Sequence, residues 1–166
     1  AQTRPLTHLA IEATRVPAER RGIGRYVRSL LREFAKQRPS LRFTLFVART
    51  RDVAAVRAEL DHLHPTLNTR TWVETVDRLP YTDADVAWYP WNFITVPTVH
   101  ARHVVTVHDI APMLQLDGRW WKFFKRAKYR ARYARTLAVA DGVVTISQFS
   151  REELLEKTDA EAARIS

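Results

Sequence analysis

Apolar positions along the chain switch repeatedly between a period of two or less and a period near 3.6. Short apolar, β-branched runs that suit strands fall at residues 6–11, 41–48, 69–76, 85–89, 104–108 and 142–146. Between them lie helical patterns. After a polar stretch from Glu12 to Gly24, Ile23, Tyr26, Val27, Leu30, Leu31 and Phe34 recur at helical spacing. A second helix runs to about residue 62 with Asp52 as its candidate cap, and a long helix covers residues 117–139. A short helix opened by Ser147 or Ser150 extends through Lys157. Pro90 and Pro97 mark an irregular connection. This alternation predicts an α/β fold with a doubly wound, mostly parallel sheet and helices on both faces. On the long helix, at about 100° per residue, Trp120, Phe123, Phe124, Ala127, Ala131, Ala134 and Ala138 share one stripe. That stripe is expected to pack on the sheet, leaving Trp121, Tyr129 and Tyr133 outside it among Lys and Arg.

Composition narrows the class. With 166 residues, 46% of them hydrophobic, the chain is long enough for one domain with a sizeable core, so one domain over residues 1–166 is expected. The absence of cysteine excludes disulfides, thiol catalysis and thiolate metal sites. No segment has the pattern of a signal peptide, and no apolar run approaches the roughly 20 residues that span a bilayer, so a soluble or peripheral chain is expected. A formal charge of +9 favours a polyanionic partner such as nucleic acid, an anionic membrane or a phosphorylated substrate; solubility alone is the blander reading.

Three stretches carry candidate chemistry. In Val104-Val105-Thr106-Val107-His108-Asp109-Ile110-Ala111-Pro112, an unbroken β-branched run stops at a histidine, an acid and a proline. The run suits a parallel strand buried on both faces, and its carboxyl end is where ligands bind in open α/β sheets. In Arg21-Gly22-Ile23-Gly24-Arg25, glycines at a helix start let backbone amides approach an anion. The spacing lacks the third glycine of a dinucleotide fingerprint, and a flexible turn explains it equally well. In residues 141–152, a buried strand ends at Ser147 and leads into a new helix bearing Arg151; taken singly, Ser147 and Ser150 read more readily as helix caps than as ligand contacts. Trp88, Tyr89, Trp91 and Phe93 beside Asn92 suit either flat sugar faces or an aromatic anchor in the core. His100, His103 and His108 lack metal-ligand spacing, so no metal is assigned, and His8, His62 and His64 read as ordinary surface or strand histidines.

Taken in order, the Arg21–Tyr26 helix start, the Val107–Pro112 strand end and the Ala140–Arg151 strand and helix resemble the amino-terminal half of a GT-B glycosyltransferase of the large retaining family four. The resemblance covers nearly the whole chain, with residues 41–99 generic. It implies a Rossmann-like acceptor-side domain, with the nucleotide-sugar held mainly by a second, C-terminal domain absent from this chain. Residues 163–166 resemble the start of the strand that leads toward that domain, and the chain alone is expected to be inactive.

The resemblance further implies that His108 is the catalytic-site residue, near the transferred sugar. Gly22 and Gly24 would approach the donor diphosphate, and Asp109 would mainly shape the turn. Arg25, Asp109, Trp91, Asn92, Ser147 and Arg151 join the two glycines as candidate substrate-binding residues. The reaction would move a sugar from a UDP- or GDP-linked donor to an acceptor hydroxyl of a glycan, lipid-linked carrier or natural-product glycoside, without a metal or other cofactor. Partners would be the donor, a sugar or lipid-linked acceptor and an anionic membrane surface, with the protein cytoplasmic or peripheral at the inner face of the membrane. A non-catalytic binding or assembly subunit is the alternative function. A nucleic-acid-binding module ranks last, because no recognisable nucleic-acid motif accompanies the charge.

Overall fold

The computed structural model describes residues 5–111 and 120–166, and the side chains of residues 120–122 are outside the description. Pro112 and residues 117–119 of the expected long helix therefore lie outside the described residues. Six parallel strands are ordered β3-β2-β1-β4-β5-β6 and flanked by helices, a Rossmann-like doubly wound sheet. The chain divides into two compact units, residues 1–90 with 98–102 and residues 91–97 with 103–166.

In the first unit all five residues of β1 (His8–Glu12) are buried, as are five of the six in β2 (Arg42–Val47). Continuous burial is what a central parallel strand covered on both faces requires, and it accounts for the unbroken apolar runs. β3 (Thr71–Thr75) is the edge strand and alternates, with Thr71 and Val73 inside and Trp72 and Glu74 outside. The register pairs Leu9 with Phe43 on one side of β1 and with Val86 of β4 (Val86–Tyr89) on the other. α1 (Ile23–Gln37) buries Gly24, Val27, Leu31 and Ala35, one stripe at helical spacing, and α2 (Thr50–Leu63) buries Val56 and Leu60. Asp52 is not the cap of α2. Arg49 holds that position without a side-chain cap bond, and Asp52 lies in the first turn, where its carboxylate accepts from Arg49 Nε at 3.2 Å and meets the positive end of the helix. Arg70 ties the far end of this unit together by donating to the carbonyls of Ala35, Arg38 and Leu41 while lying over the Phe43 ring.

The second unit contains β5 (Arg102–Val107), apart from Arg102 itself, with α3 (Trp120–Val139), β6 (Gly142–Thr145) and α4 (Gln148–Lys157). β5 and β6 pair in parallel from Val104↔Gly142 to Val107↔Thr145. Beyond the Ala162–Arg164 turn, Ile165 makes a parallel bridge to Val143, so the expected strand start is a single bridge.

The stripe expected to bury α3 is the one that faces outward. Phe123 and Phe124 are 69% and 66% exposed, and Ala127, Ala131, Ala134 and Ala138 are exposed as well. Tyr133, 1% exposed, and Thr136 are buried instead, with Tyr129 and Leu137 half-buried. The reason is hydrogen bonding that periodicity cannot see: Tyr133 donates its hydroxyl to the Asp109 carbonyl at 2.7 Å, and Thr136 Oγ1 accepts from Ile94 N at 3.2 Å. The phenol also packs against Phe93 with ring centroids 4.7 Å apart, so polar-tipped residues carry the inner face.

Each unit holds one strand start with an aspartate. Asp85, just before β4, exchanges main-chain contact with His8 and accepts from the His8 and Thr7 amides through Oδ2 at 3.0 and 2.9 Å. Asp141, just before β6, does the same for His103, accepting its amide at 2.7 Å while donating its own N–H to the His103 carbonyl at 2.8 Å. Parallel strands have no hairpin to fix their register, and a carboxylate on an amide near the start of the neighbouring strand supplies that fixing.

His8 is buried at the start of β1, with Nε2 2.8 Å from Thr44 Oγ1 and Nδ1 3.2 Å from Asp83 Oδ1. Burial lowers its pKa from the ordinary 6.5; Asp83 opposes the shift and Arg42 adds to it. In the acid range below 6.5 the unfolded chain therefore binds a proton that the folded chain resists, and stability falls as pH falls through that window. The urea midpoint is expected to drop between about pH 7 and about pH 5, and His8→Gln, which keeps a donor for Thr44, to flatten the drop. An equal drop in both proteins would remove His8 as its cause.

Candidate functional site

In the first unit the strand order reverses between β1 and β4, the point at which an open doubly wound sheet leaves a crevice at its carboxyl edge. Glu12 ends β1 there and Tyr89 ends β4. Both are buried; Glu12 Oε1 accepts from Thr14 N at 3.0 Å, and burial together with the Glu12 charge pushes the Tyr89 phenol well up. The loop from Ala13 to Gly22 follows, and its shape is fixed by Arg28 of α1. That guanidinium donates to the carbonyls of Val16, at 2.8 Å, and Glu19, and forms a forked pair with Glu59 of α2 at 2.5 and 3.2 Å. One arginine thus joins loop, α1 and α2.

The two glycines of this loop are required for different reasons. Gly22 caps α1 with φ +55°, a left-handed conformation that L side chains rarely adopt, and a Cβ there would meet nothing within 4 Å. Gly24 is buried, and a Cβ built on it would stand 1.9 Å from the Glu19 carbonyl oxygen. Loop backbone therefore already occupies the space beside Gly24, whereas the space beside Gly22 is open. Arg25 is exposed at the start of α1.

The second unit gathers the remaining candidates at the carboxyl end of β5. His108 lies one residue past the strand, half-buried, with its main chain gripped from two directions. Its N–H donates to Asn92 Oδ1 at 2.7 Å, and its carbonyl accepts from Ser150 Oγ at 3.0 Å. Asn92 itself sits at φ +62°, in a three-residue turn where Phe93 N bonds Trp91 O at 2.7 Å, and its own N–H continues the β5 ladder by donating to Thr106 O at 3.0 Å. A non-glycine residue held left-handed is strained, and asparagine tolerates it best among residues that also carry an amide acceptor.

Ser147 is the N-cap of α4: its Oγ accepts from Ser150 N at 3.1 Å, and its carbonyl accepts from Arg151 N at 3.1 Å. Ser150, one turn in, is buried and holds the His108 carbonyl. Asp109 is exposed and folds back on the chain, Oδ1 accepting from Ala111 N at 3.2 Å, while Tyr133 holds its carbonyl.

Six candidate residues, His108, Asp109, Trp91, Asn92, Ser147 and Arg151, thus belong to this unit, and Asn92 and α4 meet the His108 main chain directly. Gly22, Gly24 and Arg25 belong to the other unit. Trp91 and Phe93 are buried, and Phe93 is sandwiched between Tyr133 and the Arg132 guanidinium, 4.0 Å from its ring centroid. In the first unit Trp88 and Tyr89 are buried too, Trp88 edge-on to Tyr26 and Phe34. These rings are buried in the core, and Asn92 brings its amide oxygen to the strand end.

Sequence reasoning missed Arg28, Ser150's bond to His108 and the buried Glu12 whose charge acts on Tyr89. Arg28 is one turn after Gly24 on α1, and an arginine on a helical stripe that is otherwise apolar was the available signal. Among the described residues, no three His, Asp or Glu side chains are grouped to hold a metal ion. No protein-family model matches the chain, and no curated protein matches it.

The two glycines separate by substitution. Gly22→Ala is expected to cost about 1–2 kcal/mol for the left-handed backbone, and Gly24→Ala more than that, because the Glu19 carbonyl must move and Arg28 with it. Urea denaturation of the two variants checks the order, and a Gly24→Ala protein as stable as the parent would contradict the packing reason for Gly24.

Proposed function

We propose that this chain is the acceptor-binding half of a retaining glycosyltransferase, moving a sugar from a UDP- or GDP-linked donor to an acceptor hydroxyl. The observation that carries the reading is His108: a half-buried imidazole just past the end of a buried parallel strand, its main chain fixed by Asn92 and Ser150. Main-chain bonds on both sides hold the Cα in place, which suits a group that must orient a substrate hydroxyl. The ordered resemblance of the three sequence anchors supplies the reaction class; the fold alone does not, since Rossmann-like sheets host many chemistries.

In that reaction the bond from the anomeric carbon to the donor phosphate breaks and a bond to the acceptor oxygen forms on the same face. The acceptor proton passes to the departing phosphate oxygen. A protein base is not needed, and the His108 imidazole holds a sugar hydroxyl beside the reacting carbon. Asn92 and Ser150 are its positioning residues. Gly22, with open space beside it and the amino end of α1 behind it, is the better of the two glycines for a donor-diphosphate contact.

The test uses the polypeptide as its native host makes it, whose intact mass is compared with the 19.3 kDa of this chain. Release of UDP or GDP from nucleotide-sugars is then assayed for that protein and its His108→Ala variant. The expected result is a kcat lower by about a hundredfold or more in the variant, with an unchanged urea midpoint. Unchanged turnover would sink the assignment of His108. A native mass equal to this chain's, with no turnover, would turn the reading to a binding or assembly subunit.

A further inference from the structure

Besides the strand ends, the second unit holds a cavity of about 640 Å³ that no step of the proposed reaction uses. It lies between the second half of α3 and the segment from Glu156 to Ile165. Its floor is apolar: Leu137 is half-buried, Val143 and Ile165 are buried, and Tyr133 brings only its ring, since the hydroxyl is spent on the Asp109 carbonyl. Its rim is charged and balanced. In a chain of formal charge +9, the cations Arg130, Lys157 and Arg164 stand here with as many acids, Glu156, Asp159 and Glu161. Lys157 pairs with Glu156 at 2.6 Å and Arg164 with Glu161 at 3.2 Å. That leaves Arg130 and Asp159, both exposed, whose side chains have no ion-pair or hydrogen-bond partner among the described residues. They do not pair with each other either, so one positive and one negative charge stand apart on the rim of an apolar hollow.

We propose that this cavity binds a short apolar peptide with free ends, its carboxylate on Arg130 and its ammonium on Asp159. The volume falls within the roughly 300–1,000 Å³ of ligand pockets, which combine an apolar lining with a few placed polar groups. The balanced rim argues against a polyanion. A nucleotide or phosphorylated sugar would gain from Arg130 but would meet Glu156, Asp159 and Glu161 as like charges. A single amino acid is too small: leucine, with about nine heavy atoms at no more than ~30 Å³ each, fills less than half of the space. A peptide of two or three residues fills it, carries its two charges at opposite ends and lays its side chains on Leu137, Val143 and Ile165. Charges on an exposed rim stay largely hydrated, so the floor supplies most of the affinity and the two ends supply the selection. This inference does not rest on the transferase reading.

The experiment is isothermal titration of the polypeptide as its native host makes it with leucyl-alanyl-leucine, its N-acetyl form, its C-terminal amide and free leucine. Saturable binding of the free tripeptide is expected. Either cap, and either of Arg130→Gln and Asp159→Asn, should weaken it by about tenfold. The decisive comparison crosses the two sets. The N-acetyl peptide should bind the parent and Asp159→Asn equally, and the amide should bind the parent and Arg130→Gln equally, because the charge each variant removes has already lost its partner. Ala138→Trp, which fills the hollow from an exposed position on α3, should abolish binding while circular dichroism and the urea midpoint stay at the parent values. The proposal fails if the parent shows no saturable binding, or if free leucine binds as tightly as the tripeptide. Capped peptides that bind as well as the free one would also overturn it, handing the hollow to an internal segment of another chain. Caps that weaken binding to the parent and to the variants alike would remove Arg130 and Asp159 as the reading groups.

Discussion

A parallel strand buried on both faces can present polar chemistry only at its ends, and that constraint arranges everything else in this protein. β1 is buried throughout and β2 in five of its six positions, so most side chains that titrate or meet a ligand collect at or beyond the strand ends. At the starts stand Asp85 and Asp141, each accepting an amide at the start of a neighbouring strand, His8 and His103. At the ends stand Glu12, Tyr89 and His108. The starts are spent on register, because no hairpin sets it for parallel strands. At the ends, bonds tie the strand to loops and a helix start instead: Glu12 takes the Thr14 amide, and Asn92 and Ser150 hold the His108 main chain.

The same constraint sets what could be read from the sequence. The strands and helices appear in the expected order because burial on both faces writes itself as unbroken Val, Ile, Leu and Phe, and amphipathic helices as a stripe. His108 was legible as a strand end because the run from Val104 to Val107 stops on it. Ser147 was legible as a cap because local bonding within one helical turn decides it. What escaped is non-local. Gly24 looked like half of a phosphate loop, yet the requirement comes from the Glu19 carbonyl five residues back, brought over it by Arg28. The aromatic loop around Asn92 suited a sugar platform as well as an anchor until burial was known.

α3 is the most informative miss, and its cause is physical. Ranking residues by apolarity puts Phe and Ala inward and Tyr and Thr outward. Here the inner face is chosen by partners: a carbonyl at Asp109 that needs a donor, and an amide at Ile94 that needs an acceptor. A buried carbonyl or amide without a partner costs about 1–3 kcal/mol, comparable with the gain from burying one more apolar side chain. Two such groups on one helix face are enough to outweigh a strip made largely of alanine. The phenylalanines then remain outside, and the fold keeps them there because the Tyr133 and Thr136 bonds fix the helix's rotation about its own axis.

That fixed rotation sets both faces of α3 through one set of bonds. Inward, Tyr133 holds the carbonyl of the residue next to His108, and Phe93, packed on Tyr133, follows Asn92, whose amide oxygen holds the His108 amide. Outward, the same rotation aims the apolar strip and its cations at solvent. Because Tyr133 is fully buried and its hydroxyl bonded, a helix that rolled to hide Phe123 and Phe124 would have to pull that phenol out and leave the Asp109 carbonyl without its donor. The exposure of the strip thus follows from the Tyr133 and Thr136 bonds, and the first of these also holds the carbonyl next to His108.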